Sequence, residues 1–454
     1  MSNATVPGPL VTISPADVHA TIGKYMLADG EHLVIDLAGS HGPYLRDAAT
    51  GREYLDFYAY FASQPVGHNH PKLREPWFVE RITEAALHNP ANSDVYTTYM
   101  AEFIETFARI AKPADMPHLF LVTGGTLAVE NALKTAFDWK VRKNLAAGKG
   151  EKGAKIIHFR EAFHGRGGYT LSLTNTADPR KYQYFPKFNW PRIVNPKLRF
   201  PVTEQTLAET VAAEAQAVAQ IKAAIQRNPD DIAALIIEPI QGEGGDNHFR
   251  PEFFQELRRL ADENDFMFIV DEVQTGMGAT GKMWAIEHMG VKPDIIAFGK
   301  KAQVCGIIVG PRVDEVPDNV FRVSSRINST WGGSLVDMVR CQRYLEIVAE
   351  DNLVENAGKM GQVLLDGLTE LARGSELISN VRGRGMILAF DMPNGHARDI
   401  FRGLLLEKGL MALKCGERSI RFRPMLDLDG ASVEEGLAIV ECALFDARSD
   451  GAQL

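Results

Sequence analysis

At 454 residues the chain is long enough to bury a sizeable core and to divide into at least two subdomains. A net charge of −9 argues against a nucleic-acid partner, because holding phosphates takes a positive field. The one basic cluster, around Lys140 to Lys155, is interleaved with Glu151, glycine and alanine and reads as a solvated helix end. Cys305, Cys341, Cys415 and Cys442 have no paired spacing, which favours reduced thiols over a disulfide framework or a metal site. The N-terminus shows no basic region followed by an apolar core, and no apolar run approaches the roughly 20 residues that span a bilayer. The expectation is a soluble, cytoplasmic protein.

Residues 1 to about 30 are mixed and proline-containing, then amphipathic from His19 to Leu27. Short alternating stretches between Val34 and Phe57, punctuated by Gly39, Gly42 and Gly51, predict small strands. His68 and His70 lack a third ligand at a familiar spacing and read as part of a proline-terminated loop. Leu119 to Val122 predicts a strand, followed by Gly124-Gly125-Thr126. The helical spacing of Val129, Ala132, Leu133, Ala136 and Phe137 predicts a helix over 127–142. A strand, a glycine turn and a helix N-terminus can hold a phosphate on free N–H groups, although a plain turn has the same pattern.

Lys155 to Phe159 predicts another strand, closed by Arg160 and Ala162-Phe163-His164-Gly165-Arg166, where the aromatic suits either a stacked heterocycle or the core. Residues 175–200 read as an irregular surface loop. Thr206-x-x-Glu209 is a capping-box signature for an alanine-rich helix to about Arg227. Ile232 to Ile237 predicts a strand that leaves into Glu238-Pro239-Ile240-Gln241-Gly242-Glu243-Gly244-Gly245, and Pro251 opens a helix to about Asn264.

The stretch from Met267 to Lys301 organises the rest. One apolar run, Met267 to Val270, ends in Asp271 and Glu272; a second, Ile295 to Phe298, leads to Lys300. Buried parallel strands deliver such groups to their carboxyl rims, where ligands gather. A carboxylate and a lysine on neighbouring rims suit a cofactor with a cationic ring nitrogen and an aldehyde, which is pyridoxal 5'-phosphate. Between them, Gly276-x-Gly278-x-x-Gly281-Lys282 imitates two nucleotide-binding motifs. Both fail. Asp271 and Glu272 would repel a pyrophosphate, and Met283 cannot take the place of the magnesium-holding Ser or Thr. These glycines read as a surface turn.

Beyond Lys300, residues 306–310 predict a short strand, and Asn328-Ser329-Thr330-Trp331-Gly332-Gly333 a polar loop able to offer hydroxyls to a phosphate. From Leu335 a long helix leads to alternating strands (386–390, 420–422) and helices (397–408, 432–447), the last with Ser432-x-x-Glu435 as its capping box. Separated strand–helix units imply a mainly parallel sheet. The expected architecture is α/β: an N-terminal segment (1–75) packed with a smaller α+β domain (336–454), and a large domain (76–335).

In order and spacing, several motifs together resemble the class III, pyridoxal-phosphate-dependent aminotransferases. They are Gly125-Thr126, Phe163-His164-Gly165-Arg166, Glu238-Pro239-Ile240-Gln241-Gly242-Glu243, Asp271-Glu272-Val273-Gln274-Thr275-Gly276, Pro293-Asp294-Ile295 before Lys300, Ser329-Thr330 and Arg421-Phe422-Arg423-Pro424. Residues 127–134 and 137–140, Gly299-Lys300-Lys301 and residues 328–333 resemble the branch acting on the terminal amine of lysine. Ala279 departs from the arginine of many members, and Lys301 from the small or apolar residue usual after the catalytic lysine.

The resemblance implies a fold-type I transferase that moves lysine's terminal amine to 2-oxoglutarate, giving 2-aminoadipate 6-semialdehyde, which cyclises, and glutamate. Sister enzymes using ornithine, 4-aminobutyrate or 2,4-diaminobutyrate are the alternative. It implies Lys300 and Asp271 as catalytic residues, with Gly125, Thr126, Phe163, His164, Val273, Gln274, Ser329 and Thr330 around the cofactor. Gly125, Thr126 and Thr330 would take the phosphate, Phe163 and Val273 the ring faces, and Gln274 the phenolic oxygen. Arg166 would bind the α-carboxylate of lysine, and Arg421 that of glutamate or 2-oxoglutarate, with Glu243, Gln274 and Asn328 as further substrate contacts. No metal is implied. The resemblance also implies a homodimer or larger assembly in which Thr330 reaches the neighbouring active site, with neither nucleic acid nor membrane as partner.

Overall fold

In the computed structural model, which describes residues 11–449, two short strands, β1 (Tyr44–Arg46) and β2 (Glu53–Asp56), pair antiparallel. Seven further strands join one sheet: β3 (His118–Val122), β4 (Lys155–Phe159), β5 (Arg192–Ile193), β6 (Ile232–Ile237), β7 (Met267–Asp271), β8 (Ile295–Phe298) and β9 (Cys305–Val309). Their order is β3-β9-β8-β7-β6-β4-β5, and β9 runs against both of its neighbours. A parallel return takes a crossover of about a dozen residues or more. The few residues between Phe298 and Cys305 cannot supply one, so β9 turns back.

Every residue of β6, β7, β8 and β9 is buried, the reason these strands are unbroken apolar runs. Successive side chains point to opposite faces. Ile269, Ile295 and Ile307 pack with Val129, Ala132 and Ala136 of the helix Gly125–Ala146 on one face. Phe268, Val270 and Ile296 pack with Phe253, Phe254 and Leu257 of the helix Pro251–Glu263 on the other.

The C-terminal region holds β10 (Ser379–Arg384), β11 (Ile387–Asp391), β12 (Leu410–Met411), β13 (Leu413–Cys415) and β14 (Ser419–Phe422). Four of these form an antiparallel sheet in the order β10-β11-β14-β13, while β12 pairs parallel with β2. Leu55, Phe57 and Val66 join the hydrophobic cluster of this region. The first ten residues of the expected N-terminal segment lie outside the described residues.

Several local expectations need correction. The helix Glu204–Arg227 is capped by Thr203, whose hydroxyl accepts from Thr206 N at 3.2 Å, so Thr206 is the third helical residue and not the cap. The last helix begins at Gly430, and Asp429 Oδ1 accepts from Ser432 N at 2.8 Å, displacing the capping box expected at Ser432. The glycine turn is packed rather than free on the surface, with Gly276 and Gly278 buried and Gly281 half-buried: a Cβ on Gly276 would stand 2.6 Å from the Trp284 ring, and one on Gly281 2.9 Å from Gly358 Cα. Its glycines serve close packing. The loop 175–200 contributes edge strand β5 and a short helical turn, Pro179–Lys181. Among the described residues no helix is long and apolar enough to cross a membrane, and no cluster of potential ligands could hold a metal.

Candidate active site

Asp271 ends β7 buried, 6% exposed, with Oδ1 accepting from Val273 N at 3.0 Å. Its Oδ2 lies 2.8 Å from Nδ1 of buried His164, whose Nε2 has no hydrogen-bond partner among the described residues. One strand away, Lys300 follows β8 in a left-handed conformation, φ 48°, that non-glycine residues seldom adopt. Burial first, then Arg421 and Arg423, push its amine down to about 8 against the pull of Glu243 and Asp271.

Asp271 and Lys300 line one cavity of about 240 Å³ together with Gly125, Thr126, Phe163, His164, Val273 and Gln274. Gly124, φ 103°, turns the chain off β3 so that the helix Gly125–Ala146 begins at the cavity. A Cβ on Gly125 would meet Val273 Cγ1 at 2.8 Å, and one on Gly165 would meet Thr126 Oγ1 at 2.6 Å, so main chain itself forms this wall.

Behind Glu243 and Gln274, which line the cavity, stand two arginines, Arg421 and Arg423, only 2% and 1% exposed, on and just beyond β14. Arg421 Nη2 donates to Glu243 Oε2 at 2.8 Å, and Arg423 Nη1 to Asp246 Oδ2 at 2.7 Å. Gln274 Oε1 accepts from both, at 3.3 Å from Arg421 Nη1 and 2.9 Å from Arg423 Nη2. That leaves the amide nitrogen as the donor of Gln274, a residue lining the cavity. Burial alone would push the carboxyl of Glu243 up and keep its proton on, but Arg421 and Lys181 hold it below the ordinary range.

Two contributors escaped the sequence reading. Lys181, from the short turn inside the loop 175–200, donates to Glu243 Oε1. Glu238 accepts from Phe163 N at 2.9 Å and Gly242 N at 3.1 Å, tying the loops after β4 and β6 together. Burial pushes its carboxyl up to about 7. Glu238 stood in a quoted motif, so its position was available; nothing in sequence linked Lys181 to Glu243.

Five expected site residues do not line this cavity: Arg421, which stands behind Glu243 and Gln274, and four that lie farther off. Arg166 is exposed. Asn328 and Thr330 are exposed and Ser329 half-buried on a loop packed against Asn92 and Ser93, where Ser93 Oγ donates to Thr330 O at 3.0 Å.

The residues present fit pyridoxal 5'-phosphate on this geometry. A side-chain-free helix N-terminus suits a phosphate. A buried carboxylate suits a protonated ring nitrogen, and an amine of lowered basicity suits an aldehyde.

The class-III aminotransferase family model matches residues 25–444. An L-lysine-epsilon aminotransferase of Mycobacterium tuberculosis is 50% identical over 436 residues, covering 95% of this chain and 96% of that protein. The solved lysine aminotransferase from M. tuberculosis in its internal aldimine form superposes with a TM-score of 0.93 at 49% identity, covering 96% of this chain and 100% of that one. The mitochondrial 4-aminobutyrate aminotransferase of Sus scrofa is more distant, 33% identical over 88% of this chain and 82% of its own. The sheet with Asp271 and Lys300 on adjacent rims, the glycine-walled cavity and the family match over nearly the whole chain agree: this chain belongs to the class-III, pyridoxal-phosphate-dependent aminotransferases.

Proposed function

We propose that the chain transfers the terminal amino group of L-lysine to 2-oxoglutarate, yielding 2-aminoadipate 6-semialdehyde, which cyclises, and L-glutamate. The observation that carries this reading is the 2.8 Å pair between Glu243 and buried Arg421. A bare guanidinium at that place would repel an incoming ammonium group and would leave a desolvated charge unpaired. Paired with Glu243, the same arginine tolerates an amine; released, it offers a bidentate fork to a dicarboxylate. Lys181 gives Glu243 a second cation to follow when it leaves Arg421. The marked similarity to lysine-epsilon aminotransferases over almost the whole chain supports lysine ahead of ornithine, 4-aminobutyrate or 2,4-diaminobutyrate.

Bound here, pyridoxal 5'-phosphate supplies an aldehyde carbon to take up the amino group and a ring that draws off negative charge. Gly125 and Thr126, at the helix N-terminus, would hold its phosphate, and Phe163 and Val273 would pack against its ring. Asp271, oriented by His164, keeps a proton at the ring nitrogen. Gln274 donates through its free amide end. Lys300, with an amine near 8, is available as a base at neutral pH and moves the proton at the carbon bearing the reacting amine. Arg166 takes the α-carboxylate of lysine, and Arg421 that of the dicarboxylate.

The assembly is a homodimer or larger homo-oligomer in which Thr330 reaches the neighbouring cleft from the loop it shares with Asn328 and Ser329. Their position off their own cavity, beside a half-exposed Trp331, supports it. Residues 76–335 act as the large domain, and the described part of the N-terminal segment to residue 75 packs with the smaller C-terminal domain that begins at 336, an arrangement the β2–β12 pairing supports.

Labelled substrate tests the reaction. With lysine carrying ¹⁵N at the terminal amine and 2-oxoglutarate as acceptor, the label appears in glutamate. Label reaching glutamate only from the α-position, or ornithine outpacing lysine, defeats the proposal.

A further inference from the structure

Lys301 is the residue the mechanism above leaves idle. It is 2% exposed, and its Nζ donates to Ala62 O at 2.9 Å. The sequence offered a solvated or loop-fixing lysine; it is a buried loop-fixing one. Its target is an unusual stretch. Ala59, Tyr60, Phe61 and Ala62 have φ of 41°, 52°, 60° and 70°, four consecutive non-glycine residues in the left-handed region. There each Cβ crowds the following carbonyl oxygen, and L-residues visit the region singly rather than in runs. Such a conformation persists only where the surroundings over-determine it.

Two sets of contacts do so. On the entry side, Asp56, fully buried, accepts from Tyr58 N at 2.8 Å and Ala59 N at 2.7 Å through Oδ1, while His68 fixes its Oδ2 at 2.9 Å. On the exit side, three consecutive carbonyls point at the lysine loop. Phe61 O accepts from Lys300 Nζ at 3.2 Å, Ala62 O from Lys301 Nζ at 2.9 Å and Ser63 O from Gln303 Nε2 at 2.8 Å. Lys300 and Gln303 are themselves left-handed, φ 48° and 61°. Two strained segments therefore face each other, and the side chains of one are satisfied by the main chain of the other.

We propose that Lys301 is a positioning residue: its hydrogen bond to Ala62, with that of Gln303 to Ser63, latches the left-handed turn onto the lysine loop and so sets where the Phe61 carbonyl meets the Lys300 amine. The inference rests on Lys300 being the reacting amine. With the latch closed, Phe61 O is a fixed acceptor for the amine whenever Lys300 is free, keeping it within reach of the labile carbon. Without it, the turn relaxes toward right-handed backbone and the acceptor is lost. An uncharged chain of similar length at 301 would fill the space and form no bond to Ala62.

The test compares wild-type holoenzyme with Lys301→Met and Gln303→Ala. Hydrogen–deuterium exchange over residues 57–66 is expected to quicken about tenfold in Lys301→Met and less in Gln303→Ala, with the amides of β7 unchanged. Single-turnover reaction with saturating amine, followed by absorbance, is expected to slow about tenfold in Lys301→Met at unchanged half-saturating concentration. Unaltered exchange in both variants overturns the proposal, and so does a loosened turn with an unaltered single-turnover rate. Gln303 is half-buried and reaches the same turn, so its variant decides the matter if Lys301→Met does not fold. Borohydride reduction followed by peptide mapping keeps the outcomes apart: label away from Lys300 defeats the assigned mechanism, whereas slow exchange around 57–66 in the variants defeats only the latch.

Discussion

The cavity wall at Gly125 and Gly165 is main chain, where a single added methyl would collide with Val273 or Thr126, whereas the wall at Glu243 is a charged side chain with two cationic partners behind it, Arg421 and Lys181. Backbone packed to contact cannot adapt without strain. Ion pairs can exchange partners at small cost when each partner has an alternative, and Glu243 has two. The contrast matches the proposed duties: one end holds a group common to both half-reactions, and the other accepts two unlike substrates in turn.

The sharpest break lies between the ends. Lys300→Ala should reduce turnover by about 10³-fold, the scale of losing a positioned general base, and should abolish borohydride-stable labelling of the protein. A variant that keeps its label would move the reacting amine elsewhere. Asp271→Asn should cost about 10²-fold in the single-turnover rate while leaving the fold intact by circular dichroism.

At the adaptable end, Glu243→Ala should slow the lysine half-reaction about tenfold more than the glutamate half-reaction, measured by separate single-turnover rates. Equal losses would show that Arg421 does not need its partner exchanged. At the rigid end, Gly125→Ala should weaken cofactor binding about tenfold, roughly 1.4 kcal/mol. Adding Val273→Ala should recover part of that loss, because it removes the methyl 2.8 Å from the new Cβ. No recovery would mean the wall is not set by this contact.

The smallest effect is on stability. Glu272 is buried, bonded to Thr275 and to Ile286 N, and burial pushes its carboxyl up to about 7. A folded-state value above the unfolded one gives stability that is present below about 4.5 and lost as pH rises through about 7. Glu272→Gln imitates the protonated form. It should melt with wild type at pH 5 and above it at pH 8, by at most about 3 kcal/mol of stability. Matching melts at both pH values would place an ionised carboxylate comfortably inside the fold.

Asp271 and Lys300 were legible because each closes an apolar run, and the runs are apolar because the strands are covered on both faces. The helix N-terminus at Gly125 was legible as a turn followed by helical spacing. Lys181 was not: a proline- and aromatic-rich loop carries no periodicity, and its contact with Glu243 spans residues far apart in the chain. Nor was the buried pair Arg423–Asp246, because a motif that marks Arg423 says nothing of the acid it meets. The left-handed turn at 59–62 gave no sign either, since no glycine or asparagine marks it.

The amino-acid sequence alone determined which strands are buried, which chemical groups stand at their rims and which cofactor suits them, because hydrophobic period and run-ending polar residues act locally. Only the tertiary structure decided which cation each carboxylate meets, that Gln274 braces two arginines, and that a strained N-terminal turn is held by Lys301. Those contacts join segments between 62 and 239 residues apart, and their geometry exists only once the distant segments have packed together.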